Sequence, residues 1–429
     1  MHEVVSIQAG QCGNQIGNEF WKKISQEHKI SNEGVLLDNQ VDRKDVFFYQ
    51  ADDGRYIPRA ILLDLEPRVI SQCEPFFNTE NIYVTNEGSG AGNNWAHGFF
   101  EANRGKLDFL EIVQKEVEGC DSIETFNLMH SVAGGTGSGF GSLIIQELRD
   151  HYPKKIISSV SILPANEESS DVVVQPYNTM LTLNYLDKFC DSVIVMDNHA
   201  LGKVAMNSSI VKNPSLYYIN SLVSTVMSAS TSTIRFPGHM YCDNRSILSC
   251  TVPLPNYKFL IPSFAPFTCD EMSKVVRTTT VGEVIRRLNL PKNKLCNFNP
   301  SNTHANLSIF NILEGVKDPS EVSRTLELIF NKKDLNFVDG MPPFFQTALS
   351  KKKPFFNRVS GLCLNNTTGI STLLKKICSQ FDQLKKRNAF IEMYKKFDAD
   401  LSLFDSSRES VQKIIEEYEG CEHGLFISG

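Results

Sequence analysis

The sequence has no excess of basic residues, no long apolar run and no paired cysteines. Its 429 residues carry 43 Lys and Arg against 49 Asp and Glu, so the net charge of -6 gives nucleic-acid binding little electrostatic support. No apolar stretch approaches the length of a membrane span, and MHEVVSIQ follows a strand pattern rather than that of a signal sequence. These absences predict a soluble, intracellular protein that binds neither nucleic acid nor a membrane.

The 11 cysteines are scattered singly, without a C-x-x-C pair or closely spaced histidine partners. Their spacing therefore indicates neither a zinc site nor a disulfide framework, and it predicts reduced, buried thiols. Cys12 differs from the rest because it lies inside a glycine-containing segment, where a small side chain can touch a ligand. With 41% hydrophobic residues, a chain of this length can bury a large core and should form two or three domains.

The first half of the sequence alternates short apolar runs with helical patterns. Most of the runs are continuous, and they predict strands at residues 3–8, 61–65, 125–131, 155–163 and 192–197. Strands of this kind are buried on both faces, which is typical of a mainly parallel sheet between helices. The predicted fold class is therefore α/β, and its ligands should bind at the carboxyl ends of the strands.

Three glycine-rich segments lie between a predicted strand and a predicted helix. They are QAGQCGNQIG (8–17), NEGSGAGNNW (86–95) and SVAGGTGSGFG (131–141). A helix start presents unpaired N–H groups, and glycine lets a phosphate approach them. The third segment lacks the lysine of a P-loop and the glycine spacing of the dinucleotide fingerprint, and alone it fits a tightly packed turn equally well. Three such loops at one sheet edge favour the binding of a nucleotide, and their many N–H groups suit a triphosphate.

Other candidate residues flank this edge. Asp64 and Glu66 end a predicted strand, either as Mg²⁺ ligands acting through water or as acids facing solvent. Residues 213–230 predict a long, largely buried helix with Asn213 as its N-cap. On that helix Leu216 and Asn220 lie one turn apart, and an amide can offer both a donor and an acceptor to a base edge, although a buried Asn is more often satisfied within the protein.

The remaining half predicts a second α/β domain and a helical end. Prolines and short strand patterns dominate residues 231–365. From residue 366 onward an amphipathic pattern predicts one long helix, and a second helix follows with Ser406 and Glu409 as a capping box.

With QAGQCGNQIG, GAGNNWA, AGGTGSG, QPYN and RFPG in this order, the whole chain resembles the tubulins. The resemblance implies a parallel-sheet GTP-binding domain (1–197), a loop and long core helix (198–230), an α/β intermediate domain (231–365) and a C-terminal helical layer (366–429). SDVVVQPYN, STVMSASTSTIRFPG and an end without a strongly acidic tail are most similar to the gamma-tubulins, although the loops near residues 40 and 75 look shorter.

The resemblance also implies the binding residues for GTP or GDP, and no catalytic residue. The phosphate and sugar contacts would be Gln11, Cys12, Asn93, Ser131, Ala133, Gly134, Gly135, Thr136, Gly137, Ser138 and Gly139. Asp171 and Asn198 would contact the ribose and the base, and Asn220 would bind the guanine. Leu216 stands where the family usually stacks an aromatic ring on the base. Glu66 would help to hold Mg²⁺.

The function implied by the resemblance is microtubule nucleation at microtubule-organising centres or spindle poles in the cytoplasm. The chain would template the addition of alpha/beta-tubulin heterodimers, bind gamma-tubulin complex proteins and associate laterally with its own copies in a ring or small complex. Ser246 aligns with the alpha-tubulin glutamate that completes hydrolysis on a neighbour, so the chain should not activate its neighbour's GTP. At its own site the chain would be a slow GTPase at most, unless a partner supplies the missing groups. The alternatives are a divergent lattice-forming tubulin with GTPase activity and, on loop composition alone, a dinucleotide-dependent oxidoreductase.

Overall fold

The computed structural model describes residues 2–38, 40–73, 77–85, 88, 90–164, 172–208, 215–266, 280–297, 304–332, 335–340, 342–352, 358–397 and 400–422. The strands are β1 (Glu3–Ala9), β2 (Phe48–Gln50), β3 (Tyr56–Pro58), β4 (Ala60–Asp64), β5 (Ile82–Val84), β6 (Ile123–Ser131), β7 (Ile156–Leu163), β8 (Ser192–Asp197), β9 (Phe259–Ala265), β10 (Asn306–Glu314), β11 (Phe344–Ser350) and β12 (Ser360–Thr367). The helices are α1 (Gly10–Glu27), α2 (Pro67–Ile70), α3 (Trp95–Arg104), α4 (Lys106–Glu118), α5 (Gly141–His151), α6 (Gln175–Phe189), α7 (Asn198–Ser208), α8 (Leu216–Ser230), α9 (Ser232–Arg235), α10 (Asn244–Thr251), α11 (Val281–Leu288), α12 (Pro319–Lys332), α13 (Ile370–Lys386), α14 (Ile391–Lys395) and α15 (Ser402–Glu422).

The chain divides into two compact units. The first comprises Met1–Ile194 with Leu374–Ile415, and the second comprises Val195–Leu373 with Glu416–Gly429. The four-part division at residues 197, 230 and 365 stays a prediction. No helix among the described residues combines the length and the apolar character needed to cross a lipid bilayer.

The first unit is built on parallel strands in the order β7-β6-β1-β4-β5. Each strand runs parallel to its neighbours, and β1 and β4 are buried along their whole length. Helix α1 packs closely on this sheet, since an added Cβ on Gly13 would lie 2.2 Å from the Met129 carbonyl oxygen. The predicted α/β class and all the predicted strands are confirmed, because continuous apolar runs fit strands covered on both faces.

The second unit has strands in the order β11-β10-β12-β9. β12 is antiparallel to both β10 and β9, whereas β11 is parallel to β10. Apolar side chains of α11, among them Val284 and Leu288, pack on Ile309 and Leu313 of β10. This mixed sheet with helices agrees with the second α/β region that the sequence predicts.

Helix α8 starts later than its sequence pattern suggests. Its N-cap is Ser215, whose side chain accepts a hydrogen bond from the Tyr218 N–H at 3.3 Å. The prediction of Asn213 as the cap is therefore wrong, and Asn213 itself lies outside the described residues. Most of the helix from Leu222 onward is buried, whereas its first residue, Leu216, is 72% exposed.

The C-terminal helices also differ from the prediction. The single helix predicted from residue 366 is interrupted after Lys386, because Asn388 and Phe390 adopt left-handed backbone conformations with φ of 47° and 60°. Ser406 lies inside α15 and does not cap it, so the predicted capping box is wrong. At the start of α15 the Asp400 carboxylate accepts a hydrogen bond from the Ser402 N–H at 2.9 Å.

Candidate nucleotide site

The three glycine-rich loops meet at one edge of the first unit's sheet. Because β6, β1, β4 and β5 are parallel neighbours, their carboxyl ends lie on the same side. An added Cβ on Gly10 would lie 2.8 Å from the Gly137 nitrogen, and one on Gly135 would lie 2.6 Å from the Ala91 Cβ. The loop after β6 therefore contacts both the loop after β1 and the loop after β5, as the sequence predicts.

The glycines of the third loop serve two purposes. None of those between residues 134 and 141 has a positive φ, so backbone conformation does not require glycine there. An added Cβ on Gly139 would lie 2.1 Å from the Trp95 carbonyl oxygen, whereas one on Gly134 would meet no atom within 4 Å. Packing against α3 and its preceding loop thus explains Gly135 and Gly139, and Gly134 leaves open space that a ligand can fill.

The helices that begin at this edge differ in whether protein side chains cap their first N–H groups. Thr136–Phe140 forms a π-helical turn leading into α5, and neither this turn nor α1 has a side-chain cap. The first N–H groups of a helix have no partner within it, so those of Gln11 and Cys12 suit an anion. At α3, Asn178 Oδ1 accepts from the Trp95 N–H at 3.0 Å and Asn94 Oδ1 accepts from the Ala96 N–H at 2.9 Å. The first two N–H groups of α3 are therefore engaged by side chains of the protein.

Asn178, on α6, joins the loops of this site. It is fully buried, and its Nδ2 donates to the carbonyl oxygens of Asn93 at 2.7 Å and Ala133 at 2.9 Å. Its Oδ1 accepts from Trp95 and from the Tyr394 hydroxyl, the latter at 2.7 Å. The motif QPYN contains this residue, yet the sequence alone gives no sign that its amide connects two loops.

The other residues predicted to bind phosphate belong to the same three loops. Ser131 ends β6, and its hydroxyl accepts from the Ala133 N–H at 3.3 Å. Asn93 has a φ of 55°, a left-handed conformation that Asn tolerates better than most residues. Ser138 donates its hydroxyl to the Gly135 carbonyl oxygen at 3.2 Å, which stiffens the turn. Gln11 is exposed and Thr136 is half-buried, so both side chains are accessible.

Two carboxyl groups and a thiol define the electrostatics of the edge. Burial raises the pKa of Asp64 to about 6, and its Oδ2 is buried without a hydrogen-bond partner. Glu66 is exposed, and an added Cβ on Gly90 would lie 2.4 Å from its Oε1. Asp64 Oδ1 accepts from the Glu66 N–H at 3.2 Å, so one buried carboxylate oxygen is left beside an exposed acid, an arrangement that fits a hard cation. Burial raises the pKa of the Cys12 thiol to about 12, which keeps the thiol neutral at physiological pH.

The residues predicted to contact the base belong to the second unit. Asn198 is exposed at the start of α7, directly after β8, and Asn220 is half-buried on α8. Leu216 and Tyr217 are 72% and 65% exposed on the first turn of α8. Asp171 lies outside the described residues.

Two family models match the sequence over most of its length. The model described as Tubulin/FtsZ family, GTPase domain, matches residues 3–206, which include the three loops, β4 and Asn178. The model described as Tubulin C-terminal domain matches residues 255–379. Tubulin GTPase domains bind GTP or GDP, and the fold and the loop geometry described above agree with this match. The chain therefore belongs to the tubulin family, whose members are GTP-binding cytoskeletal proteins that associate with other tubulin subunits.

Proposed function

We propose that this chain is a gamma-type tubulin that nucleates microtubules. It would act at microtubule-organising centres or spindle poles in the cytoplasm, where it would present GTP-bearing faces to incoming alpha/beta-tubulin heterodimers. Lateral association of its copies, held together by gamma-tubulin complex proteins, would arrange those faces in a ring or small complex. The similarity of segments such as SDVVVQPYN to gamma-tubulins supports this proposal.

The observation that carries the proposal is the start of α10. Ser246 donates its hydroxyl to Asp243 Oδ1 at 2.6 Å, and Asp243 Oδ2 accepts from the Ser246 N–H at 3.1 Å. The one carboxylate of this turn is therefore engaged as a helix cap, and a serine hydroxyl is not a general base near neutral pH. A subunit of this kind can hold a neighbour without promoting hydrolysis of that neighbour's GTP, which suits a lasting template.

GTP would be held by several sets of residues, each acting on one part of the nucleotide. The N–H groups of Gln11, Cys12 and the 133–139 loop, with Asn93 and Ser131, would bind the phosphates and sugar. Asp171, Asn198, Leu216 and Asn220 would contact the ribose and guanine. Mg²⁺, held by Glu66 with help from Asp64, would neutralise phosphate charge. Hydrolysis in this chain's own site would be slow.

Nucleation is tested by adding the purified chain, with its binding partners, to alpha/beta-tubulin below the concentration of spontaneous assembly. We expect the number of microtubules to rise with the amount of chain added. Thr136→Ala should weaken GTP binding and nucleation together. Thr325→Ala, the same change at a half-buried position of α12, is the matched control and should alter neither.

Two further measurements distinguish the alternatives. Sedimentation of the chain alone with GTP into hydrolysing protofilaments would contradict the nucleating role and favour a lattice-forming tubulin. Release of a dinucleotide from the denatured protein, instead of GTP or GDP, would contradict both tubulin functions.

A further inference from the structure

A buried histidine lies directly beneath the third glycine-rich loop. His130, the second-to-last residue of β6, has no exposed surface. Its Nδ1 lies 2.8 Å from the Gly137 carbonyl oxygen, and its Nε2 lies 2.8 Å from the Ser161 hydroxyl and 3.1 Å from that of Ser159. No motif or spacing in the sequence singles this residue out.

The partners of the imidazole determine its tautomer. A carbonyl oxygen only accepts hydrogen bonds, so Nδ1 must carry the proton that is donated to Gly137. Nε2 is then the acceptor for the serine hydroxyls on β7, which also contact each other at 2.7 Å. Burial lowers the pKa of His130 to about 4, so the ring is neutral at physiological pH and the assignment is consistent.

The contact with Gly137 fixes the direction of one peptide unit of the loop. In a trans peptide the C=O and the following N–H point in opposite directions, so a Gly137 carbonyl held toward His130 directs the Ser138 N–H away from it. The ring needs room to do this, and an added Cβ on Gly141 would lie 3.1 Å from its Nδ1. The last glycine of the loop therefore leaves room for the histidine.

We propose that His130 is a positioning residue for nucleotide binding: its Nδ1–H holds the Gly137–Ser138 peptide so that the loop presents its N–H groups to the polyphosphate. The inference rests on the proposed binding of GTP at this loop. His130 itself would touch neither the nucleotide nor a metal ion, and it would act through the backbone alone.

Two amide substitutions test the contacts of the two ring nitrogens one at a time. In His130→Asn the amide nitrogen takes the place of Nδ1, whereas in His130→Gln it takes the place of Nε2. We expect GTP and GDP affinity of the nucleotide-free protein to stay within about 3-fold for His130→Asn and to fall at least about 10-fold for His130→Gln, because only the second variant loses the Gly137 contact. Fluorescence titration with each nucleotide measures both variants.

A purely structural role predicts a different result. Both variants lose the aromatic ring, so thermal unfolding without nucleotide should show similar destabilisation of the two. Equal nucleotide affinities of the two variants, or affinities that merely follow their melting temperatures, would overturn the positioning role. A wild-type chain that binds no GTP would instead overturn the proposed function.

A milder variant covers the case in which neither amide variant folds. Ser161→Ala removes one partner of Nε2 and leaves the donor to Gly137 in place, although the ring is then less restrained. We expect GTP affinity to fall about 3-fold. The control is Ser158→Ala on the same strand, whose hydroxyl contacts Asn127 Oδ1 at 3.3 Å and which should leave affinity unchanged. Equal affinities of these two serine variants would also overturn the proposal.

Discussion

Replacement of Asn178 by alanine should remove the hydrogen bonds that hold the loops of the nucleotide site together. The amide makes four hydrogen bonds at 2.7–3.0 Å, to the backbones of Asn93, Ala133 and Trp95 and to the Tyr394 hydroxyl. Truncation would leave two carbonyl groups, one N–H and the Tyr394 hydroxyl without these partners. Since each such group costs about 1–3 kcal/mol and water can enter the space to satisfy some of them, we expect a loss of about 4 kcal/mol. This is a large share of the stability of an ordinary domain.

Urea unfolding followed by tryptophan fluorescence measures this loss, because both tryptophans of the chain, Trp21 and Trp95, belong to the first unit. Asn184→Ala is the matched control. Asn184 is also buried on α6, but its Nδ2 donates to the Ser407 hydroxyl at 3.0 Å, away from the loops. The control should cost about 1–2 kcal/mol and leave GTP retention intact.

A graded variant adds a second comparison. Tyr394→Phe removes one hydroxyl from the Asn178 amide and leaves its ring against Tyr177 and Phe404. We expect a loss of about 1 kcal/mol and a small decrease in GTP retention. The reasoning is refuted if Asn178→Ala is no less stable than Asn184→Ala and still retains GTP, because the loops would then hold their positions without the amide.

Three further outcomes are expected. Gly139→Ala should fail to fold because its Cβ would lie 2.1 Å from the Trp95 carbonyl oxygen, whereas Gly134→Ala should fold and weaken GTP binding, as circular dichroism and nucleotide titration would show. His130 has a folded-state pKa of about 4, below its ordinary value of 6.5, so only the unfolded chain takes up its proton as the pH falls from about 6.5 to 4. Stability should therefore drop over this window by up to about 3 kcal/mol, and urea unfolding of His130→Asn should lack that slope. Ser246→Glu places a carboxylate at the third residue of α10, which suits a capping box, and should speed phosphate release from the neighbouring subunit in nucleated assemblies; unchanged release would contradict the role given to this position.

The sequence predicts the sheet edge well because its signals there are local and strong. Continuous apolar runs mark the buried strands, and glycines after them mark the loops, so parallel pairing alone brings the loops together. The function of each glycine is not local. Gly135 and Gly139 contact Ala91 and Trp95, residues that are distant in sequence, and only the packed structure distinguishes them from the open Gly134.

Helix boundaries are predicted less well for a related reason. The apolar periodicity of α13 continues past Lys386, and the break at Asn388 and Phe390 involves neither glycine nor proline, so composition gives no sign of it. Asn178 and His130 escape prediction because a buried polar residue is defined by its partners. The sequence does not show which Asn or His side chain will be buried, because its hydrogen-bond partners are groups that come together only in the folded protein.

The close fit of α3 against the third loop limits how this site can change. Any side chain at Gly135 or Gly139 would collide with a neighbouring backbone. Mutations at these two positions therefore cannot change how the loop binds a nucleotide without disrupting its packing. Variation is left to the open position at Gly134 and to the side chain of Thr136. A search for tubulins with a redesigned phosphate pocket should therefore begin with libraries confined to these two sites.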